Sequence, residues 1–235
     1  MNISLNINHL FFNRLLGQHC LLCASRKANQ TGLCNECLRD LPWHSAAHCE
    51  RCGLPANSNI CGQCLSTPPY FDATRSVFSY EFPVNCMMQA YKYGDKLNLG
   101  QFFGQMLAET VSAEKLDIIM PMPMHRVRLK ERGYNQALEI AKVLAKTQHK
   151  KLDYRSVERQ KLTPAQASLP LKDRVKNIKG VFKVNVVENI KNKRIAIVDD
   201  VMTTGASLNE LAKTLKQAGA SHVECWVVAR TLPKL

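Results

Sequence analysis

A chain of 235 residues, 46% hydrophobic and 22% charged, has the length for one well-buried domain plus a smaller unit and the balance of a soluble globular protein. No apolar run reaches the roughly 18 residues needed to span a membrane. The opening MNISLNINHLFFNRLL lacks the basic start and small-residue cleavage site of a secretory signal, so a cytoplasmic protein with no membrane span is expected.

The formal charge of +13 is concentrated. Residues 122–194 hold 19 Lys/Arg against 6 Asp/Glu, whereas residues 1–75 hold 6 against 4. Such a local excess predicts a polyanionic partner: phosphate, pyrophosphate or nucleic acid. A solvated basic surface is the alternative.

In chain order, HLFFNRLL has the pattern of a short amphipathic helix packed on the protein itself. Eight of the ten cysteines then form four CxxC pairs: Cys20/Cys23, Cys34/Cys37, Cys49/Cys52 and Cys61/Cys64. They make two similar blocks offset by 29 residues, an internal duplication. Four thiolates per block match tetrahedral Zn2+, so a double zinc-ribbon unit with two structural zinc ions is expected over residues 1–67. A disulfide framework would need an oxidising compartment. Sequential pairing of the blocks and a crossed one, first pair with third and second with fourth, both fit the spacing. Gly53 and Gly62 suit the tight turns of such knuckles. Closed ligand sets argue for a structural or partner-binding role, with metal supplying much of the folding free energy.

LSTPPYFDATR, Leu65 to Arg75, reads as a linker stiffened by Pro68 and Pro69. Over residues 76–235 the elements alternate. SVFSYEF is a short strand, VNCMMQAYKY and LGQFFGQMLAETV are helices, and LDIIMPMP is a buried strand. NQALEIAKVLAK is a helix with Ala137, Ile140, Ala141 and Leu144 on one face. KRIAIVDD is a second buried strand. SLNELAKTLKQAGA is a helix with Leu208, Leu211, Ala212 and Leu215 on one face and Gly219 as its stop, and HVECWVVAR is a third buried strand. This order predicts an α/β domain with a mostly parallel sheet and helices on both faces. Cys225 and Trp226 read as core, and Cys86 as packing.

Ligands of such sheets bind beyond the carboxyl ends of the strands. Two loops lie there, IIMPMPMHRVRLKERG and IVDDVMTTGAS. In the second, Gly205 lets amides turn toward one point ahead of a helix N-terminus, and Thr203, Thr204 and Ser207 add hydroxyls: a phosphate cradle. No GKS or GKT follows, which excludes a Walker-type ATPase. Asp199 and Asp200 would repel that phosphate but accept hydrogen bonds from vicinal hydroxyls, so a ribose 5-phosphate satisfies both halves of the motif.

Apolar strand, Asp-Asp, Thr-Thr-Gly resembles the signature of type I phosphoribosyltransferases, which bind phosphoribosyl pyrophosphate (PRPP) with Mg2+. The paired CxxC blocks, YKYGDK, MPMPMHRVRLKERGYNQA, RQKLTPAQASLPLKDRVKNIKGVF and the Asp-Asp motif, in this order, resemble the ComF family from about residue 20 to the end. That family includes proteins of bacterial natural competence, needed for handling single-stranded DNA, and GntX-like proteins.

The resemblance implies a zinc module joined to a type I phosphoribosyltransferase-like domain. It implies that Asp199 and Asp200 hold the ribose hydroxyls, and that Thr203, Thr204, Gly205, Ala206 and Ser207 hold the 5′-phosphate. The first loop would take pyrophosphate through Arg126, Arg128 and Arg132, with Asn135 and Gln136 nearby, Lys92 reaching the same place, and His125 either a ligand contact or a bystander. A lid over Lys161 to Asn177 would carry Thr163, Gln166, Arg174 and Asn177. Chemistry, if any, would be displacement of pyrophosphate from the anomeric carbon of PRPP, with an acceptor that the sequence does not reveal. Competing roles are single-stranded DNA binding, and an adaptor whose ribbons grip a protein of the DNA-uptake machinery. In residues 122–194 only Tyr134, Tyr154 and Phe182 are there to stack bases, so DNA binding would lean on phosphates.

Overall fold

The computed structural model describes residues 19–29, 31–94, 98–162 and 178–233. The HLFFNRLL segment and the lid positions Thr163, Gln166, Arg174 and Asn177 lie outside the described residues. The chain falls into two compact units, Met1–Leu41 and Pro42–Leu235.

In the first unit, helix α1 (Asn35–Arg39) is capped by Cys34, whose sulfur accepts from the Cys37 amide at 3.4 Å. The second cysteine block lies in the other unit and ends in helix α2 (Gly62–Ser66). Gly53 has φ +69°, and a Cβ there would meet Thr74 Cγ2 at 3.3 Å, so glycine is needed at this knuckle. Gly62 departs from expectation: it opens α2, and a side chain there would meet nothing.

The larger unit carries a five-stranded sheet in the order β1-β7-β6-β2-β3: β1 (Ala73–Ser79), β2 (Ile118–Pro121), β3 (Lys151–Leu152), β6 (Arg194–Met202) and β7 (His222–Arg230). Every pairing in it is parallel. Strands β4 (Val157–Arg159) and β5 (Phe182–Val184) form a separate antiparallel pair. β1 starts three residues before the expected strand, because it pairs with β7 from Ala73 opposite Glu224 onward. β3, β4 and β5 are too short to show alternation in the sequence.

Side chains alternate along a strand, and two helical layers use the two faces. Ile195, Ile197, Cys225 and Val227 form one core with Leu208, Leu211, Ala212 and Leu215 of α7 (Ala206–Gln217). Helix α6 (Gln136–Thr147) buries Ala137, Ile140, Ala141 and Leu144 and packs on β2, β6 and α4 (Asn98–Thr110). Helix α3 (Val84–Tyr93) packs on α4. Trp226 and Cys225 are fully buried, as expected, whereas Cys86 on α3 is exposed and packs into no core.

The connection after β2 leads through α6 to β3, on one side, and the connection after β6 leads through α7 to β7, on the other. The carboxyl ends of the adjacent strands β2 and β6 therefore flank a topological switch point, where open parallel sheets leave a crevice for ligand.

Candidate functional site

β6 carries the two aspartates near its carboxyl end, ahead of Val201 and Met202. Alternation along the strand sends them to opposite faces. Asp200 meets Lys92 of α3, with Nζ 2.8 Å from Oδ2. Burial works against the Lys92 charge, but Asp200 outweighs it and the pKa is raised. Asp199 is pushed up to about 7 by burial and by the Asp200 carboxylate beside it, with Lys92 and Arg159 acting the other way. The pair is thus divided: Asp200 is matched with a cation, and Asp199 sits at the edge of ionisation at neutral pH.

Around them lies a cleft of about 150 Å3, lined by Lys92, Met122, Pro123, Met124, Arg132, Asn135, Gln136, Ala137, Arg159, Asp199, Asp200 and Ser207. Arg132 is held over the Tyr93 ring, 5.1 Å from its centroid, and donates to Gln136 Oε1 at 3.0 Å and to the Tyr93 hydroxyl at 3.3 Å. Asn135 ties the two walls together: Nδ2 donates to Met122 O at 3.1 Å, while Oδ1 accepts from Ala137 N and caps α6. Gln136 is 2% exposed, and its Nε2 has no partner among the described residues.

The loop after β6 turns at Gly205, with φ +77°, and α7 begins at the next residue. Thr204 Oγ1 accepts from Ala206 N at 3.3 Å. Thr203 and Thr204 are exposed, and Ser207 reaches the cleft. The first turn of this twelve-residue helix reaches the cleft through Ser207, and a helix amino terminus favours an anion; Thr204, Gly205 and Ala206 line a neighbouring pocket instead.

Of the expected residues, the fold brings Lys92, Arg132, Asp199, Asp200 and Ser207 into one cleft. Arg126 and Arg128 do not line it. Their segment is helix α5 (Arg126–Arg132), capped by His125, whose Nδ1 accepts from Val127 N at 3.2 Å. Arg128, half-buried, pairs with Glu131 at 3.2 Å. Arg159 was not foreseen. It ends β4, lies 5.8 Å over the Phe182 ring of β5, and burial lowers its pKa against the pull of Asp199. Its one sequence signal was position: it opens the RQKLTPAQ run.

The cysteines assemble sequentially. Cys20, Cys23, Cys34 and Cys37 form one cluster and Cys49, Cys52, Cys61 and Cys64 the other, the sulfurs of each lying within 4.8 Å of one another. Cys23 and Cys34 sulfurs are 3.7 Å apart, and Cys52 and Cys61 sulfurs 3.8 Å. A tetrahedron with Zn–S bonds of about 2.3 Å has an edge of about 3.8 Å, so both donor sets fit zinc.

Known proteins align with both parts. The double zinc ribbon domain family matches residues 11–65, and the phosphoribosyl transferase domain family matches residues 128–233. Over 211 residues the chain is 31% identical to Competence protein F of Haemophilus influenzae (strain ATCC 51907 / DSM 11121 / KW20 / Rd), covering 86% of this chain and 91% of that protein. The chain belongs to the ComF family. Its similarity to DNA utilization protein YhgH of Escherichia coli (strain K12) is 29% identity over 223 residues, 91% of this chain and 97% of that protein. A purine phosphoribosyltransferase structure from Pyrococcus horikoshii Ot3 is 22% identical over 55% of this chain and 80% of that chain, with a TM-score of 0.33. In this ComF chain the Asp-Asp strand, helix α7 and Arg132 all fall within the matched transferase domain, whereas Lys92 lies ahead of it.

Proposed function

We propose that this ComF protein binds PRPP, or a related ribose 5-phosphate compound, in the cleft between the β2 and β6 loops, and acts in natural transformation by handling single-stranded DNA. One observation carries the ligand reading. Two carboxylates, Ser207 from the first turn of α7 and the cations Lys92, Arg132 and Arg159 line a single cleft at the switch point. Few ligands need all three. Asp199 and Asp200 accept from the vicinal hydroxyls of a ribose. Thr203, Thr204, Gly205, Ala206 and Ser207 take the 5′-phosphate. Arg132, Arg159 and Lys92 take the pyrophosphate, as forked or point cations suit bridging phosphate oxygens. Mg2+ bound with the pyrophosphate would supply further neutralisation of its charge. If transfer occurs, the carboxylates stabilise positive charge growing on the sugar ring.

The DNA part rests on the basic excess of residues 122–194, which the cleft does not absorb: Arg126 and Lys130 on α5 are exposed. The names of the two relatives agree with it. Binding through phosphates should weaken steeply with salt, with a log–log slope of about −0.7 per phosphate neutralised.

Calorimetric titration with Mg2+–PRPP tests the ligand reading. Replacing Asp199 and Asp200 together by Asn should leave the fold and zinc content intact and weaken binding about tenfold or more, the worth of a charge-assisted hydrogen bond. In the parent, affinity should climb as pH rises through about 7, where Asp199 loses its proton and becomes a full acceptor. A stable double variant that binds like the parent would make the pair a mere strand end and remove the phosphoribosyl reading.

A further inference from the structure

Behind the phosphate loop lies a buried cation that the ligand scheme does not use. Arg230, the last residue of β7, is 3% exposed. Opposite Met202 in the register, it reaches both ways. Its Nε donates to Cys52 O, in the second cysteine block, at 2.9 Å. Its NH1 donates to Met202 O at 2.9 Å, to Thr231 O at 3.0 Å and to Thr203 O. Met202 and Thr203 are the residues through which β6 enters the Thr-Thr-Gly turn. One guanidinium thus ties a metal knuckle to the backbone of the anion loop.

The charge balance points the same way. No carboxylate pairs with Arg230 among the described residues. The hydrogen bond from its Nε to the Cys52 carbonyl sets the guanidinium beside the Cys49, Cys52, Cys61 and Cys64 sulfur cluster. A buried charge without a counter-charge is costly. Four thiolates on one divalent ion carry a net negative charge, which makes a filled second ribbon the counter-ion of Arg230. The knuckle is also pinned to β1: Thr74 donates through N to Glu50 O at 2.9 Å and through Oγ1 to Arg51 O at 2.6 Å.

We propose that Arg230 is a positioning residue for the phosphate loop, and that metal in the Cys49/Cys52/Cys61/Cys64 ribbon holds it in place, so that zinc occupancy of this ribbon sets the loop's affinity for phosphate. The ligand half rests on the proposed function; the coupling half does not. With zinc bound, Arg230 keeps the Met202 and Thr203 carbonyls turned inward and the loop amides free for an anion. Without it, the guanidinium loses its counter-charge and the turn loosens.

The test uses the full-length protein and two readouts. One is hydrogen exchange of the amides at 202–207, and the other is the Kd for ribose 5-phosphate and for Mg2+–PRPP by calorimetry. Cys61→Ser should remove one zinc equivalent by elemental analysis, raise exchange at 202–207 and weaken both ligands about tenfold or more. Arg230→Gln should do the same while retaining both zinc ions, and Arg230→Lys should recover part of the protection. Adding Cys61→Ser to Arg230→Gln should move neither readout further. Cys23→Ser, in the first block, should lose zinc without changing the loop. If Cys61→Ser exchanges like the parent at 202–207, or if the two substitutions act additively, the coupling is overturned. If exchange follows the scheme while neither ligand binds even the parent, the ligand reading fails and the coupling stands. Should Cys61→Ser not fold, removal of zinc by a chelator from the parent and from Arg230→Gln gives the same comparison, with circular dichroism reporting the sheet.

Discussion

The two cysteine blocks share a motif and a clustered four-sulfur geometry, yet they end in different surroundings. The first belongs to Met1–Leu41, where Leu33 and Leu41 are the buried aliphatic side chains among the described residues. The second belongs to Pro42–Leu235, and its knuckle carbonyls at Glu50, Arg51 and Cys52 are all claimed by donors from the sheet. Four thiolates fix a local fold in each. What the fold is attached to depends on which carbonyls of the knuckle meet a donor outside it.

The sharpest way to break this contrast is to remove metal from one block at a time. Structural zinc contributes on the order of 10 kcal/mol to small ribbons. Cys23→Ser should therefore collapse its own block, with the melting temperature of the sheet unchanged. Cys61→Ser should lower that temperature, because the second block is stitched to β1 and β7. Differential scanning calorimetry with zinc analysis reads both, and equal effects would erase the distinction.

A core substitution approaches the contrast from the other side. Leu211 is fully buried between α7 and the sheet. Leu211→Ala should cost about 2–5 kcal/mol. A chromogenic chelator present during the melt should then report one zinc equivalent released at the lowered transition, from the block that shares the sheet's unit, and the other released independently.

Cutting a single stitch should have a smaller effect. Thr74 is 1% exposed, and Thr74→Val leaves Arg51 O without its donor, at about 1–3 kcal/mol. Zinc should leave the second block faster in this variant and the first block at the parental rate.

The smallest effect expected is on pH dependence. His44 joins the second block to β1: its N donates to Val77 O at 2.9 Å, and its Nδ1 lies 2.7 Å from Ser76 Oγ. Burial, then His48 and Arg230, lower its pKa from 6.5 to about 4. A depressed histidine favours the fold above its unfolded pKa, and that contribution is lost as pH falls from about 6.5 toward 4, where the unfolded chain binds the extra proton. His44→Asn should flatten the fall in melting temperature across that window, with both proteins compared at equal zinc loading.

Much of the site was legible because its chemistry is local. Asp199 to Ser207 is one unbroken segment, so strand, carboxylates, turn and helix start can be read together. Lys92 came only through resemblance, and its partner came only with the fold, since Asp200 lies more than a hundred residues away in the chain. Arg159 escaped notice because a three-residue strand carries no periodicity. Arg126 and Arg128 came through resemblance as well, on the loop that follows the first core strand. The segment folds as helix α5, and of its three arginines Arg132 is the one that lines the cleft.

By itself the sequence determined the parallel α/β core, the eight thiolates available to two metal sites and the continuous Asp-Asp, Thr-Thr-Gly segment, because periodicity and CxxC spacing act within a few residues of each other. The tertiary structure decided the rest. It settled which cysteine pairs share a site, which arginines line the cleft, and that burial raises the Asp199 pKa while Asp200 is matched by Lys92. It also decided that a buried arginine at the end of β7 connects one ribbon, through backbone carbonyls, to the loop that begins α7. Burial, charge pairing and carbonyl acceptance are set by neighbours in space, and only the folded chain determines which neighbours those are.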